Sequence, residues 1–143
     1  MSLNLYKASK SGSLESVRAA LARGEDVNMK GEFDKTPLMV AVYGNHSGVR
    51  ELLLQSPGLD LGARNTYGKT ALHYACYYDR EETVRRLLEV VGSGGVNAKD
   101  NIGYTPIMNA VRCGNLRSVR IMTADQRVQL EGGRWRRVEE IAR

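Results

Sequence analysis

A chain of 143 residues, 42% hydrophobic and 26% charged, has the size and composition of one ordinary globular domain, which excludes a disordered charged tail. It holds no run of 18 apolar residues, and residues 1–10 carry two lysines and no apolar stretch, so neither a membrane span nor a secretory leader is expected. Two cysteines, Cys76 and Cys113, are too few for a disulfide scaffold and suit an intracellular compartment, cytoplasmic or nuclear, while a net charge of +5 leaves acidic partners open.

The chain repeats itself. The first segment, 1–33, places Leu5, Ala8, Gly12, Leu14, Val17, Leu21 and Gly24 at spacings that recur downstream, with Leu3 where later units have Thr. Lys7, Ser9, Lys10, Ser11 and Ser13 give it the polar character of an N-terminal cap. In the second unit, 34–67, the run Lys35-Thr36-Pro37-Leu38-Met39-Val40-Ala41 sets the frame. It returns as Lys69-Thr70-Ala71-Leu72-His73-Tyr74-Ala75 in 68–102 and as Tyr104-Thr105-Pro106-Ile107-Met108-Asn109-Ala110 in 103–134. Nine residues before each Thr stands Val27, Leu61 or Val96, and five after it stands Ala41, Ala75 or Ala110. Each Thr is placed to cap a helix that Pro can open, and each Ala lets that helix lie close to its neighbour. A second helix then follows, for example Glu81 to Val90, with Val84, Leu87 and Leu88 on one face. Val49, Leu52 and Leu53, and later Val119, Ile121 and Met122, repeat that face. Gly24, Gly58 and Gly92 to Gly95 suit helix stops, and Gly68 and Gly103 suit tight turns. The last stretch, 135–143, reads as a partial repeat or C-terminal cap through Val138, Ile141 and Ala142.

A period near 33 carrying a Thr-Pro-Leu-His-x-Ala pattern resembles the ankyrin repeat. Tyr67 to Ala75 and Val96 to Gly103 lie close to that family's consensus. The departures are Gly44-Asn45 and Tyr78-Asp79 where the family favours Asn-Gly, and the helix ends at Ser56 to Leu59 and Val91 to Gly94. The resemblance implies an all-α fold with short β-hairpin loops, a solenoid of stacked helix-turn-helix units forming one domain over 1–143. It also implies a non-catalytic scaffold or adaptor that binds a protein or peptide partner in a concave groove. Some small members of the family instead block an enzyme surface.

In this family the partner-reading positions are commonly four, three and one before the Thr, and seven and eight after it. Here they hold Phe33, Lys35 and Tyr43 in the second unit, and Tyr67, Lys69, Tyr77 and Tyr78 in the third. The fourth contributes Ile102, Tyr104 and Arg112. Six of the nine aromatics of the chain fall on these positions, and Tyr is a favoured interface anchor because it offers a large, stiff contact area with a polar tip. The lysines and Arg112 at the edges suit a partner with acidic character.

Groups that resemble chemical sites have plainer readings. In the family the His of the repeat motif, here His73, bonds backbone between neighbouring hairpins; His46 heads a helical segment. No C-x-x-C or H-x-x-x-H spacing occurs, so no metal or cofactor is expected. Cys76 should be small and buried, whereas Cys113 falls on a groove position. Glu81 and Glu82 ahead of Arg85 and Arg86 read as helix ion pairs. Gly92-Ser93-Gly94-Gly95 lacks the Lys of a phosphate loop and reads as a flexible connector. Asn28 and Asn97 sit where the family uses Asn to hold the hairpin, a position hydroxylated in some members. No nucleophile, base and orienter assemble, so no enzyme is expected.

Two alternatives remain at this level. From Tyr104 onward eight arginines face four acids, and Trp135 stands among Arg134, Arg136 and Arg137, so this end could bind nucleic acid or acidic lipid. Alternatively Trp135 covers the end of the stack. The chain can also be read as the ankyrin portion of a longer multidomain protein, and self-association is open.

Overall fold

A computed structural model describes residues 3–130 of the chain. The partial repeat 135–143, Trp135, and Arg134, Arg136, Arg137 and Arg143 lie outside the described residues. The chain forms two compact units, 1–71 and 72–143.

The first unit holds α1 (Leu5–Ser11), α2 (Leu14–Ala22), α3 (Pro37–Tyr43) and α4 (Ser47–Leu54). Helix α1 packs on α2 and α3, α3 on α4, and α2 on α4, so two helix-turn-helix pairs stack side by side. Leu5, Ala8, Val17, Leu38, Ala41, Val49 and Leu53 form the buried seam, the positions the repeat frame marked. Helix α5 (Ala71–Tyr77) begins at the boundary, and the second unit continues with α6 (Glu81–Val90), α7 (Ser93–Val96), α8 (Pro106–Arg112) and α9 (Leu116–Ala124). There α9 packs on α6 and α8 over Leu72, Ala75, Val84, Leu87, Ile107, Val119 and Met122. Leu52, Leu88 and Ile121 are only half-buried.

The helix starts follow the frame with two corrections. Thr36 Oγ1 accepts the Met39 N–H at 3.3 Å, as a cap should. Thr105 does not: its hydroxyl is buried without a hydrogen-bond partner at the head of α8. In the first segment Leu3 cannot cap, and Asn4 takes over one residue later, accepting the Lys7 N–H at 2.8 Å.

Each helix pair turns through one left-handed residue: Gly12, Asn45, Asp79 and Gly114 in successive units, at φ +81, +56, +53 and +71. The departures from Asn-Gly are thus tolerated because Asn and Asp adopt this conformation more readily than other side chains. Asp79 then uses its carboxylate to accept both the Ser118 N–H (3.0 Å) and the Ser118 hydroxyl (2.7 Å).

The glycine-rich connector is also corrected. Ser93–Val96 closes a helical turn, α7, in which Gly95 N–H donates to Gly92 and Val96 is buried. Val96 enters the core at the aliphatic position of the frame, and that burial winds the segment. Helix α4 ends at Leu54, ahead of Gly58.

Polar links tie one repeat to the next inside each unit. Asn28 donates to Gly58 O and accepts from the Asp60 N–H, both at 2.8 Å. Asn97 repeats this with Arg127 O and the Gln129 N–H, again at 2.8 Å. These asparagines hold backbone, as expected. The buried His73 places Nε2 2.9 Å from Tyr104 O, also as the family motif implies.

Candidate functional site

Among the described residues no strand is assigned, and the hairpin loops of the sequence reading are single turns. Each is closed across its base by a backbone bond, Gly31 N to Lys35 O (2.8 Å), Asn65 N to Lys69 O (3.0 Å) and Asp100 N to Tyr104 O (2.8 Å), with a further turn bond inside, Asp34 N to Gly31 O (3.1 Å), Gly68 N to Asn65 O (2.9 Å) and Gly103 N to Asp100 O (3.0 Å). Side chains brace the later two. Asn65 Oδ1 accepts from the Tyr67 and Lys69 amides, and Asp100 Oδ1 from the Ile102 and Tyr104 amides. A single bond across each base is too short a ladder for a strand, yet the turn presents the residue three before the Thr at its apex.

In the first unit the apex residues Phe33 and Tyr67 come together, ring centroids 6.0 Å apart and tilted by 31°. The Thr66 N–H donates to Phe33 O at 2.9 Å and fixes that spacing. Phe33 is 54% exposed and Tyr67 52%. Lys35 Nζ lies 5.8 Å from the Phe33 centroid and 5.9 Å from that of Tyr43, itself exposed at the end of α3. Four of the expected contact residues therefore form one cluster. Phe33 and Asp34 both adopt left-handed backbone, at φ +54 and +59, whereas in the later tips only the residue after the apex, Gly68 or Gly103, has positive φ. For Phe this conformation is strained by roughly 1–2 kcal/mol. Nothing in the sequence announced it except the missing glycine.

The second unit holds a different arrangement. Tyr77 meets Tyr78 edge-on with centroids 4.8 Å apart, and Tyr78 stacks on buried Tyr74 at 6.1 Å. Arg80 Cζ stands 5.9 Å from the Tyr78 ring, and Arg112 Cζ 5.5 Å from the Tyr104 ring. Tyr78 and Tyr104 are half-buried, so part of their area serves packing. Ile102 is 66% exposed at its apex and has no ring contact. Lys69 is half-buried.

Three residues carry polar roles beyond what the sequence reading gave them. His46 sets its ring against Gly12 and Gly44, where any added Cβ would collide with it, and places Nε2 3.2 Å from Lys10 O. Asn115 plays the matching part in the second unit, donating to Cys76 O (2.8 Å) and Tyr77 O (2.7 Å). Arg127 donates to Leu88 O (2.6 Å) and Val91 O (2.8 Å), covering the free carbonyls that end α6, and is held by Asp125 at 2.7 Å. That hydrogen bonding keeps the Asp125 carboxyl below the usual carboxylate range.

The cysteines and the charges along α6 have structural surroundings. Cys76 is buried, and loss of solvation pushes its thiol far up, the opposite of an activated nucleophile. Cys113 is exposed. Glu81 pairs with Arg85 at 3.1 Å and Arg86 with Glu89 at 3.2 Å, ion pairs along α6. Among the described residues no group of three or more His, Cys, Asp or Glu could hold a metal ion, and no helix is long and apolar enough to cross a membrane.

Comparison with known proteins agrees with this architecture. The family model for ankyrin repeats (3 copies) matches residues 5–93 and 49–131. Mouse Rabankyrin-5 is 29% identical over 122 residues, 85% of this chain but 10% of its own length. An ankyrin repeat protein of fowlpox virus (strain NVSL) is 34% identical over 109 residues, covering 75% of this chain and 31% of its own. Human neurogenic locus notch homolog protein 1 is 35% identical over 100 residues, 60% of this chain and 4% of its own. The chain thus spans less than a third of the length of each of these relatives. Ankyrin repeats are in general protein–protein interaction modules and typically not enzymes. With its helix pairs, its Thr–Ala frame and a family model matching from residue 5 to residue 131, the chain belongs to the ankyrin repeat family.

Proposed function

We propose that this chain is a non-catalytic, intracellular protein-binding module, an adaptor or an inhibitor, whose partner contacts the exposed aromatic residues at the tips and first-helix ends. The observation that carries the reading is the Phe33–Tyr67 pair. Two large rings stand about half exposed on braced turns, one of them on strained backbone, although burial would have rewarded both. Folding has no evident use for such an arrangement, whereas a partner gains preorganised apolar area with little left to order. Tyr43, Tyr77, Tyr78, Ile102 and Tyr104 extend the same frame positions through the later repeats, with 34–67, 68–102 and 103–134 as the repeating units. The concave groove of the family is the surface these positions line elsewhere.

Affinity capture from cell extract, read by mass spectrometry, tests this with wild type beside a Phe33→Ala/Tyr67→Ala/Tyr78→Ala variant, circular dichroism confirming that the variant is folded. Proteins bound by wild type and lost from the folded variant are expected. Identical bound sets would contradict the reading. The basic end gains no support from Arg127, whose guanidinium is engaged by its own fold.

A further inference from the structure

The two units treat one place in the repeat differently. In the second, the positions twenty and twenty-two after Thr105 hold Asp125 and Arg127. The Arg127 guanidinium turns back from the loop after α9 onto the end of α6, donating to Leu88 O and Val91 O while Asp125 holds it. In the first unit the same positions after Thr36 hold Ser56 and Gly58. The backbones correspond, for Asn28 donates to Gly58 O as Asn97 donates to Arg127 O. Gly58, at φ +78, brings no side chain, and a Cβ built on it would meet nothing within 4 Å.

An open cavity of about 430 Å³ lies at this place in the first unit. It runs between the end of α2, at Leu21, and the loop after α4, at Ser56 to Gly58, with Glu25 and Asp26 on its wall. Leu21 stands in α2 where Leu88 stands in α6, eighteen residues after the Thr position of its repeat. The first unit therefore keeps the helix end and the loop but not the guanidinium that joins them. The lining holds two acids and neither Lys nor Arg. Glu25 is engaged by the Leu5 amide at 2.8 Å and by Arg23, so Asp26 is the carboxylate left to face an incoming cation. Asp26 is exposed, and its Oδ1 accepts the Asn28 N–H at 2.9 Å. A carboxylate fixed in this way still takes further donors.

We infer that this cavity receives an arginine side chain of a partner polypeptide, which bridges the end of α2 and the loop after α4 as Arg127 bridges the corresponding elements of its own unit, with Asp26 as its counter-charge. Arginine suits the place better than lysine, because a planar fork of donors can reach a carboxylate and backbone carbonyls together. A residue within a chain suits it better than the free amino acid, whose α-carboxylate would face Glu25 and Asp26 with no cation in the lining to receive it. The cavity shares no residue with the aromatic contact positions, so this site goes beyond the protein-binding reading above and is tested separately from it.

The test is a titration of the isotope-labelled full chain, followed by its amide NMR shifts, with N-acetyl-arginine methylamide, the matching citrulline compound and free arginine. Capped arginine is expected to give saturable shifts centred on Leu21, Asp26, Asn28 and Gly58. Free arginine should bind more weakly, and citrulline, which keeps the shape without the charge, should give no such shifts. Asp26→Asn should weaken the binding of capped arginine several-fold. Ser56→Asp, which supplies the carboxylate that Asp125 provides in the second unit, should tighten it several-fold, a gain that loss of fold cannot produce. No saturable shift at these amides, an equal response to citrulline, or an affinity indifferent to both substitutions would overturn the inference. Tighter binding of free arginine would overturn the assignment to a residue of a polypeptide. The capture experiment with the aromatic variant reads a different surface, so failure here leaves the protein-binding reading standing.

Discussion

At the scale of single residues, burial separates the two cysteines. Cys76 is enclosed and its thiol is pushed up by desolvation, while Cys113 is exposed. Native protein at neutral pH is therefore expected to react with one equivalent of a thiol reagent, and denatured protein with two. Two equivalents on the same timescale in the native state would contradict the burial of Cys76. Asn109 offers a second test. It is 3% exposed, its Nδ2 has no hydrogen-bond partner, and the second repeat places Val40 at the same point of the frame. Asn109→Val should stabilise the fold by about 1 kcal/mol in urea denaturation, since a buried, unpaired amide is replaced by an aliphatic group. A loss of stability would show that this amide has a partner after all. The same buried polar atoms mark where residue-level reading stopped. Thr36 and Thr105 occupy identical sequence positions, yet only the first caps its helix. The motif does not distinguish the two.

At the scale of elements, the frame of Thr, Ala and paired aliphatics was enough to locate the helices, because these residues are where helices start and touch. The connections were less legible. Gly92 to Gly95 reads as slack chain, but burial of Val96 winds it into a turn. The role of Arg127 could not be read either: a charged residue after a helix resembles any solvated cation until α6 is seen ending beneath it. The Asp125–Arg127 pair yields a pH prediction. Because native Asp125 titrates below its ordinary range of about 4, its contribution to stability is present above that range and is lost as pH falls through the lowered native value. Glu25, held low by the Leu5 amide and then by Arg23, acts in the same direction in the first unit. Asp125→Asn should lower the thermal midpoint at pH 7 and flatten the acid limb of stability against pH. A limb of unchanged steepness would remove Asp125 from the clamp.

For the whole molecule, sequence and structure divide the labour in the same way. Leu38, Val49, Leu72, Leu87 and Ile107 carry the fold, and truncating a buried one such as Leu38→Ala should cost about 2–5 kcal/mol. The aromatic positions stand out in the sequence because six of nine aromatics fall on the frame positions that the family commonly uses for contact. The structure refines this: Phe33 and Tyr67 are open, while Tyr78 and Tyr104 give part of their area to packing. The left-handed Phe33 and the cations seated over the rings depend on backbone and side-chain geometry that residue spacing alone does not carry. The central claim is that the open rings serve binding and not folding. The most direct measurement is calorimetric titration of the captured partner into wild type and into Phe33→Ala/Tyr67→Ala. The account predicts that the double variant loses at least about 2 kcal/mol of binding free energy, roughly thirtyfold in affinity. Equal affinity for the two proteins would contradict it.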